Sequence, residues 1–153
     1  SETYAEDHVS AHPMQHISLL TSLVFGGVFE RYPGLNIVMQ EAGIGYIPPL
    51  LKRLDDIYRD IGYDLPDVHK RPSEYIRDSV YFCTQPLGHT AENPEHIARL
   101  IKMIGTDNVM WFADIPHPDF DTPTELFDRI KSNFAPDEIN KIMGKNAEKL
   151  MGI

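Results

Sequence analysis

The segment MWFADIPHPDFDTP, residues 110–123, places carboxylates and an imidazole directly after an apolar run. Asp114 ends the apolar run, and His117 follows between two prolines, with Asp119 and Asp121 beyond it. Carboxylate oxygens and imidazole nitrogens bind divalent metals and transfer protons. The segment is therefore either a solvated turn or a metal or proton-transfer site at the end of a strand.

Two other apolar runs also end in polar residues. The run LNIVMQEAG reaches Glu41 and Gly43, and the run SVYFCTQP ends at Pro86. Both are short and contain β-branched or aromatic residues, which is typical of buried strands. The third predicted strand is NVMWFAD, which ends at Asp114.

Helical patterns alternate with these strands. Apolar residues recur at helical spacing from about Met14 to Arg31, and Pro33 stops the pattern. Further helices are predicted in IPPLLKRLDDIYRD, PSEYIRD, NPEHIARLIKMIG, TPTELFDRIKSNF and APDEINKIMGKNAEKLMGI. Thr122 is expected to cap the helix of TPTELFDRIKSNF, with Glu125 one residue short of a strict capping box.

The alternation of helices and strands predicts an α/β fold with a parallel sheet and right-handed crossovers. Binding sites in such sheets lie at the carboxyl ends of the strands, which converge. Glu41 and Asp114 are therefore candidate site residues. Asp114 could equally be a helix cap or turn former, and His117 either anchors a surface loop or partners Asp114.

The remaining histidines and the cysteine carry weaker patterns. His8, His12 and His16 are spaced by four residues, which places them on one face of a helix, although Pro13 argues against a continuous helix through them. Two histidines at this spacing can bind zinc, but no protease-type glutamate accompanies them, so we interpret them as solvated residues at a helix entry. His69, His89 and His96 belong to no pattern, and Cys83 is expected to be a buried, inert thiol.

Composition limits the possible classes of protein. The chain has 153 residues and is predicted to form a single domain, 1–153. Its net charge of −9 argues against a nucleic-acid partner, since phosphate binding needs clustered lysine and arginine. A single cysteine allows no intrachain disulfide and favours the cytoplasm. No apolar run predicts a membrane span, no signal-peptide pattern is present, and the first residues do not resemble a natural N-terminus.

Three segments resemble the second amidohydrolase family, a TIM-barrel group of metal-dependent hydrolases and non-oxidative decarboxylases. VFGGVFERYPGLNIVMQEAGIGYIPPLLKRLDD is similar to the stretch around barrel strand six, and MWFADIPHPDFDTP to the motif of the last strand. The ending IMGKNAEKLMGI resembles the C-terminal helix of the family. The resemblance runs from about His8 to Ile153.

The resemblance implies a (β/α)8 TIM barrel that holds a divalent metal, usually zinc, at the strand ends. It gives Asp114 the role of metal ligand and proton shuttle. Glu41 stands where the decarboxylase branch has a histidine, and this favours a hydrolase, because a carboxylate is a poorer proton donor at neutral pH. Ala113 stands where a small hydroxyl residue is common, which would cost a hydrogen bond and not the metal.

The length of the chain implies an incomplete barrel. A TIM barrel takes roughly 250 residues, so the resemblance assigns this chain the last three βα units and a C-terminal helix. The metal-binding histidines of strands one and five would lie upstream of Ser1. The outer strands, at NIVMQ and VMWFA, are then expected to present unpaired edges. The chain should pair with the missing N-terminal half or form a homo-oligomer, and should be inactive alone.

The sequence thus predicts a soluble, cytoplasmic, metal-dependent hydrolase in which metal-activated water attacks a small carboxylate or cyclic substrate. Asp114 would carry the proton, Glu41 would orient the water or the substrate, and His117 would support Asp114. One alternative is a non-oxidative decarboxylase of the same family. Another is a non-catalytic α/β fragment or interaction module.

Overall fold

The structure, a computed structural model, describes residues 3–88, 93 and 95–153. The chain forms two compact units: unit 1 consists of Ser1–Ile37 and Tyr46–Val80, and unit 2 of Val38–Gly45 and Tyr81–Ile153. The single domain expected from the sequence stays a prediction. His89 and Pro94 lie outside the described residues.

Unit 1 is helical. Buried leucines of one helix, Leu50, Leu51 and Leu54, share its core with Leu20 and Val24. The carboxylate of Asp55 accepts hydrogen bonds from the backbone N–H of Ser73 (2.9 Å) and from its hydroxyl (2.7 Å). The helices are α1 (Tyr4–Phe25), α2 (Val28–Arg31), α3 (Ile47–Ile61) and α4 (Pro72–Ser79), with a 3₁₀ turn at Gly62–Asp64.

Helix α1 differs from its prediction at both ends. It begins at Tyr4, where Thr3 and Glu6 form a capping box, and it continues through Pro13. The expectation that Pro13 would interrupt the helix is wrong, because a strong N-terminal cap lies upstream of it. The helix also ends earlier than predicted, at Gly26 and Gly27. Gly27 has φ +66°, and a Cβ there would lie 2.7 Å from the Asp67 Cβ, so only glycine fits this break.

Unit 2 contains the sheet and confirms the parallel pairing. Strand β2 pairs with β3 in parallel, with Phe82 opposite Val109 and Cys83 opposite Met110. The strands are β1 (Ile37–Met39), β2 (Val80–Cys83) and β3 (Val109–Met110), in the order β1-β2-β3. The helices are α5 (Glu95–Ile104), α6 (Pro123–Ile130), α7 (Pro136–Asn140) and α8 (Asn146–Met151), with a 3₁₀ turn at Thr106–Asn108 and a π-helical turn at Lys141–Lys145.

Two details of unit 2 correct the sequence reading. Strand β3 is shorter than NVMWFAD and ends at Met110. Thr122 and Glu125 do form a full capping box: Glu125 N–H donates to the Thr122 hydroxyl, and the Glu125 carboxylate accepts from the Thr122 N–H at 2.7 Å. The spacing was misjudged, because Glu125 occupies the third helical position after the cap. Within the described ranges no helix is long and apolar enough to cross a membrane.

The outer edge of β3 is covered by the C-terminal helices, which corrects the expected open edge. The carbonyl of Met110 accepts from Thr84 N–H (3.0 Å), so Met110 bonds towards β2. Backbone N–H and C=O groups point alternately to the two edges of a strand, so those of Val109 and Trp111 point to the outer edge of β3. Trp111 N–H donates to the carbonyl of Ile142 in the π-helical turn (2.9 Å), and the Asn146 side-chain amide donates to the carbonyl of Val109 (2.8 Å).

Replacing Asn146 by leucine should destabilise the chain. Asn146 is buried, and its amide also donates to the carbonyl of Thr106 (2.7 Å), so the substitution leaves two backbone carbonyls without this donor. We expect a loss of about 1–3 kcal/mol in the free energy of unfolding, measured by urea denaturation. The control is Asn140→Leu, an exposed position in the same helical run, which should change the free energy by no more than about 0.5 kcal/mol. Equal unfolding midpoints for the two variants would contradict the role of Asn146.

Candidate active site

The candidate site lies in unit 2, on one face of the sheet. Tyr81, Cys83 and Met110 form a buried cluster on this face, and Val38 and Phe112 pack against it. Side chains alternate between the two faces of a strand. Gln85, two residues after Cys83, continues this alternation on the same face as the cluster, and Asp114 follows four residues after the end of β3.

Glu41 and Asp114 share an unusual backbone conformation. Among the described residues they are the two non-glycine residues with positive φ, at +65° and +63°. For an L-residue this left-handed conformation costs about 1–2 kcal/mol. Backbone strain of this kind collects at functional sites. The two strand-end acids chosen from the sequence are therefore also the two strained ones.

Asp114 and His117 form a hydrogen-bonded pair. The ring Nδ1 of His117 lies 2.8 Å from the Asp114 Oδ1. The backbone N–H of His117 also donates to the backbone carbonyl of Asp114 at 2.9 Å. Because a carboxylate can only accept, Nδ1 carries the proton and Nε2 faces outwards. The Asp114 side chain is 10% exposed and that of His117 is 61% exposed. A shielded carboxylate is thus connected to solvent through an imidazole.

The carboxylates around His117 favour its protonated form. The hydrogen bond to Asp114 and the charge of Asp114 raise the pKa of His117, and the charges of Glu41 and Asp119 add to this effect. Partial desolvation acts in the opposite direction and does not reverse it. This contribution places Glu41 within electrostatic range of His117.

The segment from Asp114 to Asp121, here the Asp114 turn, is fixed by backbone contacts. Asp121 N–H donates to the carbonyl of Ala113 (2.9 Å), and the fully buried Asp121 carboxylate accepts from Leu87 N–H (2.9 Å). The Gln85 side-chain amide donates to the carbonyl of Asp119 (3.2 Å). Asp121 therefore anchors the turn to the loop after β2. Neither Asp121 nor Gln85 was assigned a role from the sequence, although Asp121 belongs to the acidic run after the third predicted strand and Gln85 to the end of the second.

Cys83 has the properties of an inert residue. It is buried, and burial raises the pKa of its thiol to about 12. A hydrogen bond from the Gln40 side chain lowers this pKa, but by less than burial raises it. A thiol with such a pKa is almost entirely protonated at neutral pH and is a poor nucleophile.

The histidines of unit 1 lie on α1 and in the segment before α4. In unit 1, the rings of His8 and His12 lie 6.0 Å apart on α1, and the His16 Nδ1 hydrogen-bonds the Tyr46 hydroxyl at 2.8 Å. Burial, followed by the charge of His12, lowers the pKa of His16. His69 N–H donates to the Tyr75 hydroxyl at 2.9 Å.

The described residues do not hold a complete metal site. Across residues 3–88, 93 and 95–153, no group of three or more histidine, cysteine, aspartate and glutamate side chains is arranged to hold a metal ion. Asp114 fits the role of a single ligand, because it offers a shielded carboxylate whose orientation His117 fixes.

A cleft of about 420 Å³ opens beside Glu41 in unit 2. Its charged wall is Arg129, whose guanidinium donates to the carbonyls of Leu87 and Gly88 at 3.2 Å each. The other lining residues are Ala42–Gly45, Pro86–Gly88, Asn93, His96, Ile97 and Leu100. The cleft is large enough for a small organic molecule.

The Asp114→Asn substitution should lower the pKa of His117 towards its ordinary value of 6.5, because it removes the carboxylate that favours the imidazolium. The measurement is an NMR titration of the His117 ring in the metal-free chain. Asp119→Asn is the control and should have a smaller effect. Since the pKa is raised on folding, the pair stabilises the fold fully below pH 6.5 and loses this contribution as the pH rises through the raised value. An unchanged titration in Asp114→Asn would contradict the pairing.

A model of the amidohydrolase family matches residues 8–153. The chain is 28% identical over 109 residues to gamma-resorcylate decarboxylase of Rhodococcus jostii (strain RHA1), which covers 69% of this chain and 31% of that protein. It is 28% identical over 144 residues to 2-amino-3-carboxymuconate-6-semialdehyde decarboxylase of Dictyostelium discoideum, which covers 92% of this chain and 38% of that protein. The chain therefore spans about a third of the length of these curated relatives.

The fold also matches a solved structure. An amidohydrolase from Mycobacterium avium subsp. paratuberculosis K-10 superposes with a TM-score of 0.78 and 26% identity, over 97% of this chain and 36% of that one. The α/β fold is that of a TIM-barrel amidohydrolase, of which this chain is a part. Both curated relatives are decarboxylases, so the comparisons support the decarboxylase alternative better than the predicted hydrolase.

Proposed function

The chain belongs to the amidohydrolase family, and we propose that it forms part of a metal-dependent decarboxylase that acts on a small unsaturated or aromatic carboxylic acid. The observation that carries the proposal is the Asp114–His117 pair, with its 2.8 Å hydrogen bond at the carboxyl end of β3. The choice of decarboxylation over hydrolysis is supported by the two curated relatives, both named as decarboxylases.

Decarboxylation needs a proton donor. When the bond between the carbon skeleton and the carboxylate breaks, its electron pair stays on carbon, which must then take a proton while CO₂ leaves. The donor has to be close to this carbon and has to regain a proton after each turnover. Asp114 is shielded enough to face a substrate, and the exposed His117 can pass a proton from solvent to it.

Glu41 fits a decarboxylase when it is not the residue that supplies the proton. The hydrolase was preferred because a decarboxylase was assumed to need Glu41, which stands in place of a histidine, as its proton donor. The Asp114 turn already carries an imidazole, that of His117, and the negative charge of Glu41 contributes to raising its pKa. Glu41 therefore acts as an electrostatic and orienting residue beside the pair.

A divalent metal, with zinc as the first candidate, would be held by Asp114 together with residues outside this chain. When bound, such a metal polarises and orients the oxygen atoms of the substrate. A catalytic zinc site takes three protein ligands, and we assign one of them, Asp114, to this chain. The remaining ligands belong to the upstream part of the barrel. Manganese is the second candidate, because carboxylate and water ligands suit it as well.

The reaction class can be tested on the chain assembled with its upstream barrel half, loaded with zinc or manganese. We expect CO₂ release from a panel of hydroxybenzoates and unsaturated dicarboxylates, and no hydrolysis of lactones of similar size. Asp114→Asn should lower turnover on the order of 100-fold, since a positioned proton donor contributes at least that factor, and should also lower metal content. Asp128→Asn, an exposed acid on α6, is the control and should change neither. Lactone hydrolysis without CO₂ release would restore the hydrolase prediction.

Glu41→Gln should slow turnover more than it weakens metal binding. Its carboxylate is expected beside the metal, where it orients groups and favours the protonated His117, without being a ligand. Metal content and turnover are measured on the same assembled protein. A loss of metal as severe as that in Asp114→Asn would make Glu41 a ligand. No change in either quantity would leave it a structural residue at a strand end.

A further inference from the structure

Gln85 connects the two strained turns of unit 2. It follows β2, and its side chain is 1% exposed. Its backbone carbonyl accepts from the N–H of Gly43 (2.9 Å), two residues after Glu41. Its side-chain amide donates to the carbonyl of Asp119 in the Asp114 turn (3.2 Å). One residue thus bonds to the segments that carry both acids.

The segment that follows Glu41 also packs closely against the residues that follow β2. Gly43 has φ +60°, and a Cβ at this position would lie 3.0 Å from the carbonyl oxygen of Pro86. The segment after Glu41 therefore rests directly on the backbone of Gln85 and Pro86. A shift of Gln85 would move Glu41 with it.

The side chain of Gln85 is not one that core packing alone would select. Nε2 of the side-chain amide donates to the carbonyl of Asp119, and this fixes the orientation of the amide. The other polar atom of the side chain is Oε1. Oε1 is buried and has no hydrogen-bond partner in the described part of the chain. A buried acceptor without a partner opposes folding, whereas an apolar side chain of the same shape would not carry this cost. The amide is therefore retained at a cost, and what it supplies in return is the bond to Asp119 in the Asp114 turn.

We propose that Gln85 is a positioning residue, which sets the separation of Glu41 and Asp114 by holding the Asp114 turn through Asp119. This inference rests on the proposed function, because the separation matters for proton delivery to a substrate held between these residues. Gln85 acts through the two turns and does not itself donate or accept the transferred proton.

The test compares two variants of Gln85 with a buried neighbour. Gln85→Met keeps the volume and removes the amide, and Gln85→Glu keeps the shape and removes the donor. Thr84→Val is the matched control: Thr84 is fully buried, lies on the opposite face of the sheet, and has a hydroxyl without a partner among the described residues. Amide hydrogen exchange is measured on the metal-free chain, and kcat and KM on the assembled, metal-loaded protein.

We expect the amides of Phe120 and Asp121 to exchange severalfold faster in both Gln85 variants and to be unchanged in Thr84→Val. The amide of Trp111 should stay protected in all three, which shows that the sheet is intact. In both Gln85 variants kcat should fall on the order of 100-fold, with little change in KM. A displacement of the reacting groups by about 1 Å has an effect of this size. Thr84→Val should keep the kcat of the unmodified chain.

Two results would overturn the inference. One is unchanged exchange of Phe120 and Asp121 in the Gln85 variants. The other is a kcat for Gln85→Glu equal to that of the unmodified chain, which would show that shape alone suffices. If Gln85→Met does not fold, the amide exchange and the kcat of Gln85→Glu alone decide whether the inference holds. If the unmodified protein releases no CO₂, the proposed function fails, and the exchange data still decide whether Gln85 holds the Asp114 turn.

Discussion

The site depends on how the outer edge of β3 finds hydrogen-bond partners. Strand β3 is an edge strand of two residues, Val109 and Met110, and the backbone groups on its outer edge need partners. On one side it pairs with β2, and on the other the C-terminal helices supply the carbonyl of Ile142 and the amide of Asn146. The π-helical turn matters here, since an extra residue in a helical turn changes the direction of its backbone carbonyls. With both edges bonded, the chain leaves β3 in one direction, and Asp114 takes a fixed place.

The strained residues show what this rigidity is used for. A positive φ at Glu41 and Asp114 persists only where surrounding contacts determine the backbone more strongly than the strain opposes it. The Glu41 segment is held by the bond from Gly43 to Gln85, and the Asp114 turn by the bond from Asp121 to Ala113. Each strained acid therefore lies within a few residues of a backbone bond that fixes it.

The sequence predicted those features that depend on nearby residues. Strand β2 and helix α3 followed from local apolar spacing, and Asp114 and Glu41 followed from the convergence of parallel strand ends. The end of α1 before Gly27 was missed, and the contact that requires glycine there comes from Asp67, forty residues away in the sequence. The cover over β3 and the role of Gln85 were missed for the same reason: their partners, Ile142 and Asp119, lie in distant segments. The extension of α1 through Pro13 was missed because the capping box of Thr3 was not recognised.

The same pair of residues could in principle serve either reaction class, and the direction of proton flow separates them. Hydrolysis needs a base that takes a proton from water, whereas decarboxylation consumes a proton at carbon in every turnover. The pKa of His117 is raised by the hydrogen bond to Asp114 and by the surrounding carboxylates, so the imidazole is protonated over a wider range of pH than a free histidine. A solvent-exposed imidazole with a raised pKa, bonded to a shielded carboxylate, is arranged to deliver protons inwards. Glu41, which first argued against decarboxylation because it replaces a histidine, strengthens this arrangement through its charge.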